Sequence, residues 1–175
     1  GTIAGPKTLE HRVDAGLGSV ATVLVQDGTE IGDRPPEQFD RILLDTPCTG
    51  LGELRRRPAA RRRKHPADVA ELGALQAALL ASALTALKPG GILAYVTCSP
   101  HLGETRSIIV QALSDSAGGL RQLDTAAVLA AVTTHPLDLG ETSGQVQLWP
   151  HRHGTDAMFI CLLQKDAGRH DPQHG

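Results

Sequence analysis

The chain has 175 residues, enough for one domain with a substantial core and too few for two full-sized domains. Hydrophobic residues make up 41% and charged residues 21%, so the composition excludes a disordered or fibrous protein. Aromatic residues reach only 2%, and the core therefore has to be built mainly from Leu, Val, Ile and Ala.

Apolar runs look shorter than the roughly 18 to 20 residues that cross a bilayer, and the first residues lack the pattern of a signal peptide. We therefore expect a cytoplasmic protein with no membrane partner. The three cysteines, Cys48, Cys98 and Cys161, are too few and too widely spaced for a disulfide framework or a metal-binding pair. Each is either a buried small hydrophobe or a reactive thiol.

A dense basic segment interrupts an otherwise nearly neutral chain. The net charge is −2, yet seven of the ten residues between Arg55 and Lys64 are Arg or Lys. Such a segment predicts salt-dependent binding of a polyanion, and its alternative interpretation is a solvated surface loop. The candidate phosphate-binding residues are Arg55, Arg56, Arg57, Arg61, Arg62, Arg63 and Lys64.

Hydrophobic periodicity and turn residues predict alternating strands and helices. A capping-box spacing at Asp68 and Glu71 starts a long helix, which Lys88-Pro-Gly-Gly stops. The segment 157–163 is apolar on both faces, as expected of a strand covered on both sides. The predicted strands are 20–25, 39–44, 92–96, 120–123 and 157–163, and a second helix is predicted over 104–113. The polar tail 166–175 is expected to be loose.

This alternation indicates an α/β fold with a largely parallel sheet. In open sheets of this kind, ligands bind beyond the carboxyl ends of the strands. The segments Asp45-Thr-Pro-Cys48 and Thr97-Cys-Ser99 both fall at such ends. Cys48 and Cys98 are therefore predicted to meet in one crevice, although they are distant in sequence.

Over roughly residues 20 to 165, the chain resembles the Fmu/Sun (RsmB-type) ribosomal RNA cytosine-5 methyltransferase family. Several segments carry this resemblance in the family's order and spacing. They are Asp45-Thr-Pro-Cys-Thr-Gly-Leu-Gly52, the Arg-rich stretch with Pro58, Leu87-Lys-Pro-Gly-Gly91, Tyr95-Val-Thr-Cys-Ser-Pro100 followed by Glu104-Thr105, and His153-Gly-Thr-Asp-Ala-Met-Phe159. The resemblance implies a catalytic domain over 1–165 with a Rossmann-like S-adenosylmethionine methyltransferase sheet.

The resemblance also implies an activity, the methylation of carbon 5 of a cytosine in ribosomal RNA with S-adenosylmethionine as cofactor. Carbon 5 is a poor nucleophile, so such enzymes add a thiolate to carbon 6 and make carbon 5 electron-rich. By resemblance Cys98 is the nucleophile, Cys48 assists product release, and Asp45 hydrogen-bonds the base. Pro47 would stiffen the loop beside the cofactor. The basic segment would contact RNA phosphates, and the scarcity of aromatic residues argues against multi-base stacking.

The cofactor-binding segment departs from the family's pattern. The family has Ala-Gly-Pro-Gly-Gly-Lys-Thr after a strand, whereas Ala4-Gly-Pro-Lys-Thr8 lacks the Gly-Gly pair. We therefore expect a sheet that is incomplete in its amino-terminal half, truncated or deleted near 1–12, with an exposed edge that favours self-association. By resemblance Asp27 lies beside the adenine of the cofactor. Lys7 is the remaining candidate in the glycine-rich element, and Glu10 is the remaining candidate in the ribose-binding element.

Each assignment has a plainer alternative. Buried cysteines usually act as small hydrophobes, an interpretation that fits Cys161 best. Asp45 has the alternative of a cap or turn residue, and Asp27 that of a turn residue. A second functional hypothesis is a non-catalytic RNA-binding fragment of such an enzyme. A nicotinamide-dependent oxidoreductase is disfavoured because no Gly-x-Gly-x-x-Gly follows a strand. His151 with His153 makes a weak metal site because no Cys or carboxylate cluster is near in sequence.

Overall fold

A computed structural model of the chain describes residues 26–33, 35–56, 66–139 and 144–168. Helices and strands alternate along the sequence, which confirms the predicted α/β class. In chain order they are β1 (Phe39–Asp45), α1 (Pro66–Ala86), β2 (Leu87–Thr97), α2 (Arg106–Asp115), β3 (Leu120–Gln122), α3 (Thr125–Val132), β4 (Gln145–Gln147), α4 (Pro150–His153) and β5 (Phe159–Lys165). Short 3₁₀ helices at Gly28–Asp33, Leu51–Glu53 and Leu102–Glu104 lie between them. The predicted strand 20–25 lies outside the described residues, as does most of the tail.

The strands form one open mixed sheet in the order β1-β2-β5-β3, with β4 also paired to β5. β1 and β2 are parallel, whereas β5 runs antiparallel to β2, β3 and β4. The expectation of a largely parallel sheet is therefore wrong for the described strands, where β1–β2 is the only parallel pair. β4 reaches β5 through the short connection that contains α4, and such a connection suits antiparallel neighbours because parallel strands need a longer crossover.

The junction of α1 and β2 is tighter than the sequence predicts. β2 begins directly after α1, so the predicted stop at 88–91 belongs to the strand instead of a loop. The β1–β2 pairing is irregular there, between Phe39 and Arg41. Pro89 has no N–H group and Gly90 has a φ of 75°, and both suit a bulge because neither continues a regular ladder.

One face of the sheet carries the hydrophobic core, beneath α1 and α2. Its buried residues are Leu80, Ala83, Leu87, Leu93, Tyr95, Ile108, Ile109, Leu120, Phe159, Cys161 and Leu163. Tyr95 and Phe159 meet edge to face, with ring centroids 6.2 Å apart. Cys161 is fully buried, as expected, and burial raises the pKa of its thiol to about 12. The opposite face of β5 is only half-buried at Ile160 and Leu162, so β5 is covered less completely than its apolar sequence predicts.

Several boundaries differ from the sequence predictions. α1 starts at Pro66, so Asp68 lies in the first turn instead of at the cap, where its charge still favours the helix N-terminus. The helix predicted over 104–113 starts at Arg106. The sequence patterns do not predict α3, β4 or α4. For α3 a signal was present, because the side chain of Asp124 caps it by accepting a backbone hydrogen bond at 3.0 Å.

α1 is apolar along most of its length. Residues Ala67–Ala86 are long and apolar enough to cross a membrane by length and composition alone. The expectation that no apolar stretch reaches this length is therefore wrong, since alanines between the leucines keep the average high. Leu79, Leu80, Ala83 and Ala86 are buried, which is the packing of a core helix in a globular domain.

β1 forms an open edge of the described sheet. In the described ranges it pairs with β2 alone, and most of its residues are exposed. Leu43 and Phe39 are 64% and 39% exposed, although large apolar side chains on a strand are normally covered. The exposed edge agrees with the expected incomplete sheet.

Replacing the fully buried Leu163 by Ala is expected to lower the free energy of unfolding by about 2–5 kcal/mol, because the change leaves a cavity. The matched change Leu43→Ala on the exposed edge should cost about 0.5 kcal/mol or less. Urea denaturation of the two variants measures the difference. A large loss for Leu43→Ala would show that β1 is covered in solution, and sedimentation velocity would then reveal whether a second copy covers it.

Candidate active site

Two loops meet at the carboxyl edge of the β1–β2 pair. β1 ends at Asp45 and continues into the loop with Cys48, and β2 ends directly before Cys98. Backbone hydrogen bonds join the two segments, from Thr46 N to a β2 carbonyl at 3.0 Å and from Gly52 N to Cys98 O at 3.0 Å. The structure thus brings both predicted cysteines and the predicted carboxylate to one edge of the sheet.

The loop after β1 is fixed by close packing and hydrogen bonds. The buried Gln76 of α1 donates from Nε2 to Pro47 O at 2.8 Å. A Cβ atom on Gly52 would lie 2.2 Å from Ala157 O and 2.6 Å from Cys98 O, so only glycine fits there. Ala157 N in turn donates to Gly52 O at 3.0 Å. The loop therefore connects the end of β2 with the segment that enters β5.

A buried carboxylate also bridges the two loops. Glu104 has no exposed surface, and its oxygens accept hydrogen bonds from Thr49 N, Thr49 Oγ1 and Ser99 Oγ at 2.7, 2.6 and 2.5 Å. Thr49 follows Cys48, and Ser99 follows Cys98. Sequence reasoning assigned Glu104 only to a helix and a motif. The hydroxyl residue after each cysteine is the signal that could have pointed to a shared acceptor.

The thiol of Cys98 lies among negative charges. Burial raises its pKa most, and neighbouring negative groups raise it further, to about 11. These groups are Cys48, Glu53, Asp45 and Asp156. The neutral thiol is therefore the dominant form of Cys98 at neutral pH. Without further activation it is a poor nucleophile, because the thiolate is the reactive species.

The described part of the basic segment is tied to the loop before β5. Arg56 pairs with Asp156 at two points, from Nε to Oδ1 at 2.9 Å and from Nη2 to Oδ2. This pairing raises the pKa of Arg56. Arg55 Nη2 donates to Gly154 O at 3.3 Å. Two of the predicted RNA-binding residues thus have partners within the chain, and the others, Arg57, Arg61, Arg62, Arg63 and Lys64, lie outside the described residues.

A cavity of about 450 Å³ opens beside Asp45. Pro47, Gly28 and Ile31 line it, together with side chains of α1 and of the β1 edge. The volume is that of a small-molecule site, and the lining combines apolar walls with a carboxylate.

Asp27 directly precedes the lining residue Gly28. Its Oδ1 accepts hydrogen bonds from Thr29 N at 2.9 Å and from Thr29 Oγ1 at 2.7 Å, which lower the pKa of the carboxyl and start the 3₁₀ helix. Asp27 is therefore a turn residue. It lies at the rim of the cavity, where its predicted role in cofactor binding would place it. The other cofactor candidates, Lys7 and Glu10, lie outside the described residues.

His153 serves the turn that contains α4. Its Nδ1 accepts from Trp149 N at 2.8 Å, and its Nε2 lies 2.8 Å from Asp138 O. Arg152 forms an ion pair with Asp138 at 2.7 Å. Both ring nitrogens of His153 thus have backbone partners in the described part of the chain.

Solved structures share this arrangement of sheet and helices. The chain superposes on a methyltransferase homologue protein from Pyrococcus horikoshii with a TM-score of 0.68 and 27% identity, covering 93% of this chain and 51% of that one. For NSun6 from the same organism, solved with SFG, the TM-score is 0.71 at 26% identity, with coverage of 91% and 38%. The fold is accordingly that of a Rossmann-like methyltransferase, whose sheet is only partly present in the described residues.

The sequence profile described as "16S rRNA methyltransferase RsmB/F" matches residues 8–164. The chain belongs to this family, and the resemblance read from its motifs is confirmed. A putative methyltransferase of Mycobacterium tuberculosis is 52% identical over 127 residues, which cover 73% of this chain and 26% of the relative. Ribosomal RNA small subunit methyltransferase F of Aeromonas hydrophila is 35% identical over 139 residues, with coverage of 79% and 28%. The chain thus spans slightly more than a quarter of the length of these relatives.

Gly52→Ala is expected to lower the free energy of unfolding by about 1–3 kcal/mol, because the added methyl group collides with two backbone carbonyls. Gly50→Asn is the matched control in the same loop. Gly50 has a φ of 70° and open space around it, and Asn tolerates this left-handed conformation. Thermal unfolding compares the two variants with the parent chain. A Gly52→Ala variant as stable as the control would contradict the close packing.

A thiol of pKa about 11 is only about 0.03% ionised at pH 7.5. We therefore expect alkylation of Cys98 by iodoacetamide to accelerate about tenfold per pH unit through the range from pH 8 to 10. In the urea-unfolded chain the rate should level off near the ordinary thiol pKa of about 8.5. Peptide mass spectrometry follows Cys98 separately from the other cysteines. The same plateau in the native and unfolded chains would disprove the raised pKa.

Proposed function

We propose that the chain is the catalytic domain of an S-adenosylmethionine-dependent enzyme that methylates carbon 5 of cytosine in ribosomal RNA through a covalent cysteine adduct. The observation that carries the proposal is the meeting of the Cys48 and Cys98 segments beside Asp45 at one edge of the sheet. Membership of the RsmB/F family supports methyl transfer and an RNA substrate. Two thiols and a carboxylate at one edge are the groups that this chemistry requires.

In the proposed reaction, the Cys98 thiolate adds to carbon 6 of cytosine. An S–C6 bond forms, and the displaced ring electrons make carbon 5 nucleophilic. When bound, S-adenosylmethionine would supply the methyl group to carbon 5 and, as its S–CH3 bond breaks, would leave as S-adenosylhomocysteine. Cys48, as its thiolate, would then accept the proton that carbon 5 must lose and become a neutral thiol. The electrons of the broken C5–H bond restore the ring double bond as the C6–S bond breaks, and the electron pair of that bond returns to Cys98.

Asp45 is proposed to act on the base and on Cys98 at the same time. A proton shared between its carboxyl and the ring nitrogen would draw electrons away from carbon 6 and favour addition of the thiolate. Asp45 is also among the negative groups that raise the pKa of Cys98. Sharing a proton with the base would reduce that negative charge, so substrate binding would itself lower the pKa of the nucleophile.

The cofactor is proposed to lie in the cavity between Pro47 and the turn at Asp27. Gly28 packs so closely on Leu79 that an added Cβ would lie 2.7 Å from its Cδ2, which keeps the cavity wall free of a side chain. Ile31 offers an apolar surface for the adenine ring. Lys7 and Glu10 are the remaining candidates for binding the cofactor. The crystal structure of NSun6 contains SFG, an S-adenosylmethionine analogue, and this supports the proposed class of cofactor.

The basic segment is proposed to contact RNA phosphates and to orient the substrate without reading its sequence. Arg56 is held by Asp156 and is close enough to Cys98 for the two charges to interact. Phosphate contacts by Arg55, Arg57, Arg61, Arg62, Arg63 and Lys64 would then lie next to the reacting base. A ribosomal RNA substrate would place the enzyme in the cytoplasm.

Self-association through β1 is a further part of the proposal. The support is the exposed strand edge with Leu43 and Phe39, which a second copy could extend by pairing its own β1. Such pairing would cover apolar surface that is otherwise in contact with water.

A non-catalytic RNA-binding fragment is the second candidate. The observation in its favour is the high pKa of Cys98, which leaves the nucleophile neutral at physiological pH. Binding of S-adenosylmethionine separates the two candidates, and isothermal titration calorimetry measures it. We expect saturable heat for the methyltransferase. Salt-sensitive RNA binding without any heat from the cofactor would favour the fragment.

The mechanism is tested by trapping on RNA that contains 5-fluorocytosine, because fluorine at carbon 5 cannot leave as a proton and the adduct persists. We expect an adduct with the parent chain and with Cys48→Ala, and none with Cys98→Ala. Cys161→Ala is the matched control and should trap RNA like the parent chain, since Cys161 is buried in the core. Denaturing gels detect the adduct. An adduct that survives Cys98→Ala and is lost with Cys48→Ala would reverse the roles.

A further inference from the structure

Glu104 is a charged residue in a place where charge is costly. Its side chain has no exposed surface, and none of the ion pairs in the described residues includes it. Burying a carboxylate without a cation costs several kcal/mol unless hydrogen bonds replace the lost water. The hydrogen-bond donors that compensate this cost therefore show which chain segments the carboxylate holds in place.

Three short hydrogen bonds compensate the buried charge. Oε1 accepts from Thr49 N at 2.7 Å, and Oε2 accepts from Thr49 Oγ1 at 2.6 Å and from Ser99 Oγ at 2.5 Å. Hydrogen bonds to an ionised acceptor are roughly twice as strong as those between neutral groups. All three donors belong to the residues that directly follow Cys48 and Cys98. The carboxylate is thus a bridge between the two thiol-bearing segments.

Glu104 is itself anchored to the sheet. Its backbone N donates to His101 O at 3.0 Å, and its backbone O accepts from Tyr95 Oη at 3.0 Å. Tyr95 is fully buried on β2 and belongs to the hydrophobic core. The bridge therefore starts from one of the most tightly packed parts of the molecule, and both loops are held relative to the same fixed point.

The Glu104 carboxylate joins the two loops at a point between their backbone hydrogen bonds. Backbone hydrogen bonds attach the loop after β1 to the β2 segment at Thr46 and at Gly52, on either side of Cys48. Thr49 lies between these two attachments, next to the thiol. Glu104 thus fixes the middle of the loop, whereas the backbone bonds fix its two ends.

We propose that Glu104 is a positioning residue that sets the separation between the thiols of Cys48 and Cys98. This inference rests on the proposed function, in which one thiol adds to carbon 6 and the other removes a proton from the adjacent carbon 5. Both thiols must then reach neighbouring atoms of one base. A misplacement of about 1 Å can cost on the order of a hundredfold in rate, so a bridge that fixes both loops matters for the reaction.

Dibromobimane tests the separation without RNA or cofactor, because it becomes fluorescent only after it bridges two thiols. We expect bridging of Cys48 and Cys98 in the parent chain at about pH 10, where a larger fraction of the Cys98 thiol is ionised, and a severalfold loss in Glu104→Ala at the same pH. Ser99→Ala should show a similar loss, since it frees the Cys98 side of the bridge. Fluorescence is normalised to the rate at which each thiol reacts singly with iodoacetamide.

Tyr95→Phe is the matched control. It removes one backbone anchor of Glu104 and leaves the carboxylate bridge intact, so bridging should fall less than in Glu104→Ala even if stability falls. In the 5-fluorocytosine assay, Glu104→Ala should form adduct about tenfold to a hundredfold more slowly, with unchanged RNA affinity. Glu104→Gln, which keeps one acceptor oxygen, should recover part of the rate. A merely structural role would not produce this graded response.

Parental bridging in both Glu104→Ala and Ser99→Ala would overturn the inference. If circular dichroism shows that Glu104→Ala does not fold, Ser99→Ala and Glu104→Gln decide the outcome. A parent chain that forms no RNA adduct would count against the proposed function alone, because the bridging experiment measures the position of the thiols independently.

Discussion

β1 and β2 run parallel with Asp45 opposite Val96, and this register places the ends of both strands at one edge of the sheet. Because each strand leads directly into a cysteine segment, the pairing brings together two thiols that are 50 positions apart in the sequence. The core beneath α1 and α2 fixes β2, and β2 in turn fixes β1. The candidate site therefore depends on the pairing of β1 with β2. This pairing sets the approximate position of the two cysteine segments, and the loop contacts fix their final position.

The same edge concentrates negative charge. Asp45, Glu53 and Asp156 raise the pKa of Cys98, and Arg56 is engaged by Asp156. A site of this kind is unreactive as it stands and favours ligands that bring positive charge or share a proton. Alkylation of the half-buried Cys98 at neutral pH is accordingly expected to be slow, because little of its thiol is ionised.

β1 is an open edge of the described sheet, and the chain covers only part of the proteins that it resembles. The chain spans slightly more than a quarter of the length of its curated relatives and about half or less of the two solved structures. Leu43 and Phe39 on β1 face outward in the described part of the chain.

The sequence by itself determined the α/β class, most of the strands, the family and the two cysteine motifs, because strand patterns, turn residues and short motifs are local properties. It could not determine the direction of β5, since apolar periodicity is the same for parallel and antiparallel neighbours. Only the tertiary structure revealed the contacts of Glu104 and Arg56. Glu104 meets Thr49 across 55 positions and Arg56 meets Asp156 across 100, and no local pattern encodes such contacts. The raised pKa of Cys98 was likewise decided by burial and by charges that folding brings together.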